Sequence, residues 1–381
     1  MFIHQTVRRN RSEFKINTQT GGLNSLTSFG GLESLENISG NFEISTDTRG
    51  LYNLTSFKGL ENLVNIGGNF EINANFEGLG ALASFEGLEN LASIGGNFKI
   101  KANFKGLRIL ASFKGLENLT SIGGNFEIKA NGTGALHKLA SFEGLRSLIS
   151  IDGNFEISAE ASMYESSLDI LASFKGLENL SSIGGNFKIE GRIGNSFALN
   201  GLSSFEGLEN LTSINGDFTS NQYIRVENNL SNLTTVGGNM KIWIITEISS
   251  NTFDANFSRL ESVGGSLSLV SRNSSSGTLS LPLLQAIGGE CSFDEFDLID
   301  FPNLESINGT LEISNVNSIG TLDKLKSVGD ITIRNCSSLY DFCNWVPVLT
   351  DYNGTFLVTG CGYNPTKYQI LNGECSQTPA N

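Results

Sequence analysis

A single unit, repeated along almost the whole chain, constrains the fold more than any other feature. Four stretches read SFKGLENLVNIGGNFEI (56–72), SFEGLENLASIGGNFKI (84–100), SFKGLENLTSIGGNFEI (112–128) and SFKGLENLSSIGGNFKI (173–189). Each carries an apolar triplet, such as Leu60/Leu63/Ile66 or Leu88/Leu91/Ile94, then a glycine turn and an alternating pair such as Phe70/Ile72 or Phe98/Ile100. Looser copies continue to Leu322/Leu325/Val328 and Val346/Leu349/Tyr352. Apolar residues at period two mark a strand with one buried face. One such strand every 20 to 32 residues means a solenoid. The predicted fold is therefore mainly β: a right-handed leucine-rich-type parallel β-solenoid with a short C-terminal capping helix. Its boundaries are an irregular segment over 1–12, solenoid repeats over 13–335 and a cysteine-containing cap over 336–381.

Coils that stack at ~4.8 Å place equivalent residues in columns. Phe42, Phe70, Phe98, Phe126, Phe155, Phe187 and Phe218 form one aromatic file in this reading, and Phe29, Phe57, Phe85, Phe113, Phe142, Phe174 and Phe205 a second. Both read as core rather than as a cofactor box. Asn41, Asn69, Asn97, Asn125, Asn154 and Asn186 precede the strands and read as a turn ladder, because Asn bonds neighbouring backbone readily. The N-L-T and N-L-S sequons fall out of the repeat and are weak glycosylation signals.

Two charge columns behave differently. Lys58, Glu86, Lys114, Glu143, Lys175 and Glu206 alternate in sign, which supports each neighbouring pair by ~0.2–1 kcal/mol and disfavours a one-coil slip. Glu33, Glu61, Glu89 and Glu117 repeat without relief until Arg146. Splaying into solvent, nearby lysines or bound cations could each relieve that column, although no copy resembles a calcium loop. No metal or cofactor is predicted.

Coils from about 40 to 216 are longer than the C-terminal ones, and the surplus always follows the strand. The inserts read NANFEGLGALA (73–83), KANFKGLRILA (101–111), KANGTGALHKLA (129–140), SAEASMYESSLDILA (158–172) and EGRIGNSFALNGLS (190–203). Leaving from one edge, they are expected to project as a row of loops, the usual place for a solenoid to bind. The candidate binding residues on them are Phe104, His137, Tyr164, Glu165, Arg192 and Phe197, with Tyr164 at the tip of the longest.

The ends differ in kind. Glu13–Asn17 (EFKIN) matches the strand motif with no triplet before it, so the first coil starts half-way through. MFIHQTVRRNRS has no apolar core of a signal peptide, which favours a longer reading frame upstream. At the other end Asn364 and Pro365 are expected to open a helix that Gly373 closes. Cys336 and Cys361 each follow the second apolar residue of a strand by three, so register makes them column neighbours and predicts a Cys336–Cys361 disulfide. Elimination leaves Cys343–Cys375. Such bonds need an oxidising compartment. Zinc is the rival for these cysteines, without C-x-x-C spacing to support it. Cys291 takes the aromatic position of its strand and reads as a buried free thiol.

Composition narrows function mainly by exclusion. A net charge of −14 argues against nucleic acid, and no apolar run is long enough to span a membrane. Two histidines, neither beside a candidate nucleophile, give little to general acid–base catalysis. The repeats also lack the clustered carboxylates of a polysaccharide-cleaving β-helix.

The unit L-x-x-L-x-x-I-x-G-x-L-x-I resembles the receptor L-domain type of leucine-rich repeat β-solenoid. SLYDFCNW and YNPTKYQILNGECS resemble the closing cap of bacterial cell-surface proteins built on such repeats. The resemblance spans roughly 13–376 and implies an extracellular or cell-surface binding or adhesion module, not an enzyme, engaging a protein or glycan through the edge loops. A passive spacer and, further off, a polysaccharide-active enzyme are the alternatives. The family implies no catalytic residues.

Overall fold

A computed structural model describes residues 10–160, 167–192, 198–199, 201–224, 230–245, 253–272 and 277–378. Two compact units divide the chain after Leu208, and each is a parallel β-solenoid of stacked coils.

In the first unit every described coil contributes one long and one short strand. The long strands include Phe42–Thr46, Phe70–Ala74, Phe98–Asn103, Phe126–Asn131 and Phe155–Glu160, paired in parallel so that Phe faces Phe and Ile faces Ile. The short strands, such as Ser93–Ile94 and Ser121–Ile122, are the triplet's last turn. EFKIN behaves as the sequence suggested: Phe14–Thr18 pairs in register with Phe42–Thr46. Asn10–Arg11 also forms a strand, against Asn37–Ile38, so regular structure begins inside the segment expected to be irregular.

The predicted aromatic files exist. Phe70, Phe98 and Phe126 stack with ring centroids 5.1 and 5.2 Å apart and their planes nearly parallel. Phe57, Phe85, Phe113 and Phe142 stack beside them at 5.6 Å. Across the two files the rings tilt by 51–56° at about 6 Å, as between Phe85 and Phe98 or Phe113 and Phe126. Stacking along a file and tilting between files both suit the ring quadrupole, and all these rings are fully buried. From Phe57 onward the packing leaves no room at the turn after each second-file Phe. Gly87 has φ +105°, and a Cβ there would lie 2.2 Å from the Phe57 carbonyl carbon of the preceding coil.

The asparagine rows are hydrogen-bonded ladders. The backbone N–H of Asn97 donates to Asn69 Oδ1, and that of Asn125 to Asn97 Oδ1, at 2.8 and 2.7 Å. In a second row, Asn62, Asn90 and Asn118, each Nδ2 donates to a glutamate carbonyl of the preceding coil, Asn118 to Glu89 at 2.7 Å, which occupies the amide of one N-L-T sequon.

The glutamate column needs neither cations nor splaying. The N–H of Gly59, Gly87 and Gly115 donates to Glu61, Glu89 and Glu117 respectively at 2.9–3.0 Å. Each carboxylate closes its own turn, so its charge meets backbone dipoles before it meets the next glutamate. Where Arg146 interrupts the column it pairs with Glu178 at 3.3 Å. In the alternating column, Lys58 pairs with Glu86 at 3.1 Å.

The inserts are a correction. They are not projecting loops over 73–83, 101–111 and 129–140 but a third wall of the coil. Leu79/Leu82, Leu107/Leu110 and Leu136/Leu139 are fully buried. Backbone bonds such as Leu79 N–H to the Gly50 carbonyl tie one wall to the next. Burying two leucines per coil outweighs the solvation of a free loop, at ~1.5–3 kcal/mol per side chain.

The second unit keeps the two-strand coil up to Leu311–Ile319, adds a further strand at Phe253–Asn256 and Gly277–Ser280, and ends with Ile331–Arg334 and Phe356–Thr359, which have no short strand beside them among the described residues. Cys291 stands opposite Leu267 and Leu311, fully buried as a free thiol. Cys343 and Cys375 are disulfide-bonded. Cys336 and Cys361 are not: both are buried free thiols, Cys336 donating to the Arg334 carbonyl at 3.3 Å and Cys361 to the Thr359 carbonyl at 3.7 Å. They follow strands in parallel register, Arg334 opposite Thr359. Equivalent side chains on such strands run parallel at ~4.8 Å, whereas a disulfide needs Cβ atoms converging to ~3.8 Å. Register alone therefore brings two cysteines together without bonding them.

The capping helix is Lys367–Leu371, and its N-cap is Thr366 rather than Asn364. Thr366 and Gln369 form a reciprocal capping box. Asn364 is engaged elsewhere, accepting from Cys361 N and donating to Cys361 O, both at 2.9 Å. Gly373, at φ +90°, ends the helix as predicted. A second short helix, Val346–Leu349, precedes it. Among the described residues no helix is long and apolar enough to cross a membrane.

Candidate functional site

The corner between each long strand and its third wall is where successive coils differ most. Three consecutive coils read Asn75-Phe76-Glu77-Gly78-Leu79, Asn103-Phe104-Lys105-Gly106-Leu107 and Asn131-Gly132-Thr133-Gly134-Ala135-Leu136. The turn puts the backbone in the left-handed region. Phe76, Glu77 and Leu79 have φ of 43°, 64° and 53°, and Phe104, Lys105 and Leu107 have 45°, 63° and 51°. For residues with a Cβ this costs ~1–2 kcal/mol each. The next coil meets the same demand with Gly132 and Gly134.

Coil-to-coil bonds hold the strained turns in place. Phe76 N–H donates to Asn103 O at 3.1 Å, Phe104 N–H to Asn131 O at 3.0 Å and Lys105 N–H to Thr133 O at 2.8 Å. Asn103 Nδ2 donates to Asn75 Oδ1 at 2.6 Å. Above this frame the rings of Phe76 and Phe104 stack at 4.9 Å and 2°. They remain 51% and 48% exposed, unlike the rings of the two core files. A Cβ on Gly132 would come within 2.9 Å of the Phe104 ring, so the ring lies over a position that only glycine leaves open.

Charge flanks the stack. Arg49 Nε meets Glu77 Oε2 at 2.7 Å. Lys105 has no ion pair among the described residues. Together with Thr48 and Thr133, these side chains and the two rings line an open cleft of about 550 Å³. Its chemistry is that of a recognition surface, with apolar rings beside charged and hydroxyl groups. Among the described residues no group of three or more His, Cys, Asp or Glu is placed to hold a metal.

Of the residues singled out from sequence, Phe104 is part of this cleft. His137 is not: it follows the buried Leu136, is half-buried itself, and keeps Nδ1 shielded with no hydrogen-bond partner. Arg192 ends the strand Phe187–Arg192 with its backbone opposite Glu160. Tyr164, Glu165 and Phe197 lie outside the described residues. Sequence reasoning missed Phe76, Arg49, Glu77 and Lys105. The signal was present, since NANFEGL and KANFKGL put Phe76 and Phe104 at the same place in consecutive coils.

No family model and no curated protein sequence matches this chain.

Proposed function

We propose that this protein is an extracellular or cell-surface binding module, a leucine-rich solenoid of the receptor L-domain type, that engages a protein or glycan through the Phe76/Phe104 corner. The observation that carries the reading is the pair itself. Two large apolar side chains are held half in solvent, on left-handed backbone, although the adjacent coil makes its one-residue-longer turn with glycine at the left-handed positions 132 and 134. Strain kept where a less strained residue would serve is a mark of functional positions. Exposed aromatics flanked by charge are also the usual anchors of recognition surfaces. The Cys343–Cys375 disulfide supports residence in an oxidising compartment. The resemblance of the repeat and of the C-terminal cap to cell-surface proteins points the same way.

The test is binding of the full chain, and of a Phe76→Gly/Phe104→Gly variant, to arrays of glycans and cell-surface proteins. Ligands retained by the parent and lost by the variant are expected. A variant that keeps every ligand of the parent removes this corner from the function, and a parent that binds nothing leaves a spacer.

A further inference from the structure

Resting on that reading, we infer that the ligand is an acidic polysaccharide, held by its uronate carboxylates on a lysine cluster beside the aromatic corner. The segment 98–111 (FKIKANFKGLRILA) bears Lys99, Lys101, Lys105 and Arg108 with no acidic residue, inside a chain whose net charge is −14. Lys99 and Lys101 lie on the strand Phe98–Asn103, and Phe104 follows it directly. On the neighbouring strand Lys129 stands opposite Lys101.

Neutralisation of this cluster is incomplete. Glu127 takes Lys99 at 3.2 Å and Lys129 at 2.7 Å, Glu156 reaches Lys129 at 3.7 Å, and Glu71 stands opposite Lys99 on the other neighbouring strand. Lys101 and Lys105 have no ion pair among the described residues. Lys101 shares one face of the strand Phe98–Asn103 with Lys99, whose ammonium pushes it below the ordinary lysine range although Glu127 and Glu71 pull the other way. Two cations on one face of a strand, with a third placed opposite Lys101 by the register, gain from an anion held among them. Directly opposed like charges destabilise a sheet, and a bound carboxylate removes that cost.

Charge and apolar surface together select the class. A uronic acid carries one carboxylate on a ring whose C–H face is apolar, and here the cations and the half-exposed rings belong to the same coil. Elsewhere the surface is acidic, but at physiological salt the Debye length is ~8 Å, so distant carboxylates are screened while those cations act at contact.

Calorimetric titration of the full chain with polygalacturonate and with its methyl ester tests this, because the ester keeps the ring and removes the charge. Polygalacturonate is expected to bind at least about fivefold more tightly than the ester, and Lys101→Gln/Lys105→Gln to abolish that difference. Both lysines are unpaired, so the variant leaves no buried partner behind, and circular dichroism checks its fold. Equal binding of acid and ester, or no binding of either, overturns the inference. So does a double variant that keeps the preference. Other ligands lost on Phe76→Gly/Phe104→Gly would leave the corner's binding role standing in each case.

Discussion

Glu117 turns its carboxylate back onto the N–H of Gly115, both oxygens lying 3.0 Å from the nitrogen. The same closure recurs at Glu33, Glu61, Glu89 and Glu178. A row of glutamates that looks like unrelieved repulsion in sequence is thus a row of turn caps. Glu117→Ala should cost ~1–2 kcal/mol, the scale of a lost side-chain cap, read as a lower urea midpoint. Millimolar calcium should leave the parent's midpoint unchanged, because the carboxylates are already committed to backbone.

Acid should weaken the first unit through Glu33 and Glu178. The N–H of Gly31 holds Glu33 below its ordinary value of 4.5. Burial pushes Glu178 upward, but the Gly176 N–H and the Arg146 guanidinium outweigh it and leave the group lowered. A carboxylate whose folded pKa is depressed stabilises the fold fully above the unfolded pKa, and that contribution disappears as pH falls through the folded value. Urea midpoints measured from pH 7 to 3 should be flat to about pH 5 and fall below 4.5. The deficit of Glu178→Gln relative to the parent should shrink over the same acidic window.

The turn glycines test the column packing itself. At Gly87 both the left-handed φ and the Phe57 carbonyl exclude a side chain. Gly87→Ala should destabilise on the order of 3 kcal/mol, among the larger single-residue effects, measured by chemical denaturation. A cost below 1 kcal/mol would mean that neighbouring coils are not in the contact described.

Much of this was legible in the sequence because the repeat is nearly identical from coil to coil. Period-two alternation and constant spacing fix which Phe meets which, so Phe70, Phe98 and Phe126 could be placed in one file before any coordinates. The third wall was harder to see. Leu79/Leu82 and Leu107/Leu110 sit in the inserts, where length variation suggested loops, although G-L-x-x-L recurs in both. The binding corner was half visible. Phe104 was singled out, but its partnership with Phe76 depends on a left-handed turn that residue types other than glycine do not announce. Thr366 was readable from T-K-Y-Q, and Asn364-Pro365 competed with it for the same role.

That left-handed turn makes the corner separable from the fold. Phe104→Gly removes a ring stack worth ~0.5–1.5 kcal/mol and relieves a strained residue worth ~1–2 kcal/mol. Thermal unfolding of Phe104→Gly should therefore stay within ~1 kcal/mol of the parent, while every ligand that uses the corner is lost. A large destabilisation would instead assign Phe104 to the core.

The cysteines yield a chemical prediction that separates contact from bonding. The neighbouring Cys336 thiol lowers that of Cys361 to about 7, while the Cys361 thiol and burial push Cys336 up. Burial alone pushes Cys291 up. Since the thiolate is the reactive form, native iodoacetamide labelling should modify Cys361 first, with a rate that rises as pH passes about 7. Cys291 and Cys336 should label only on unfolding, and Cys343 and Cys375 only after reduction. Peptide mapping by mass spectrometry distinguishes these outcomes. A Cys336–Cys361 cross-link in the protein as purified would show that the two coils can draw their cysteines closer than parallel register places them.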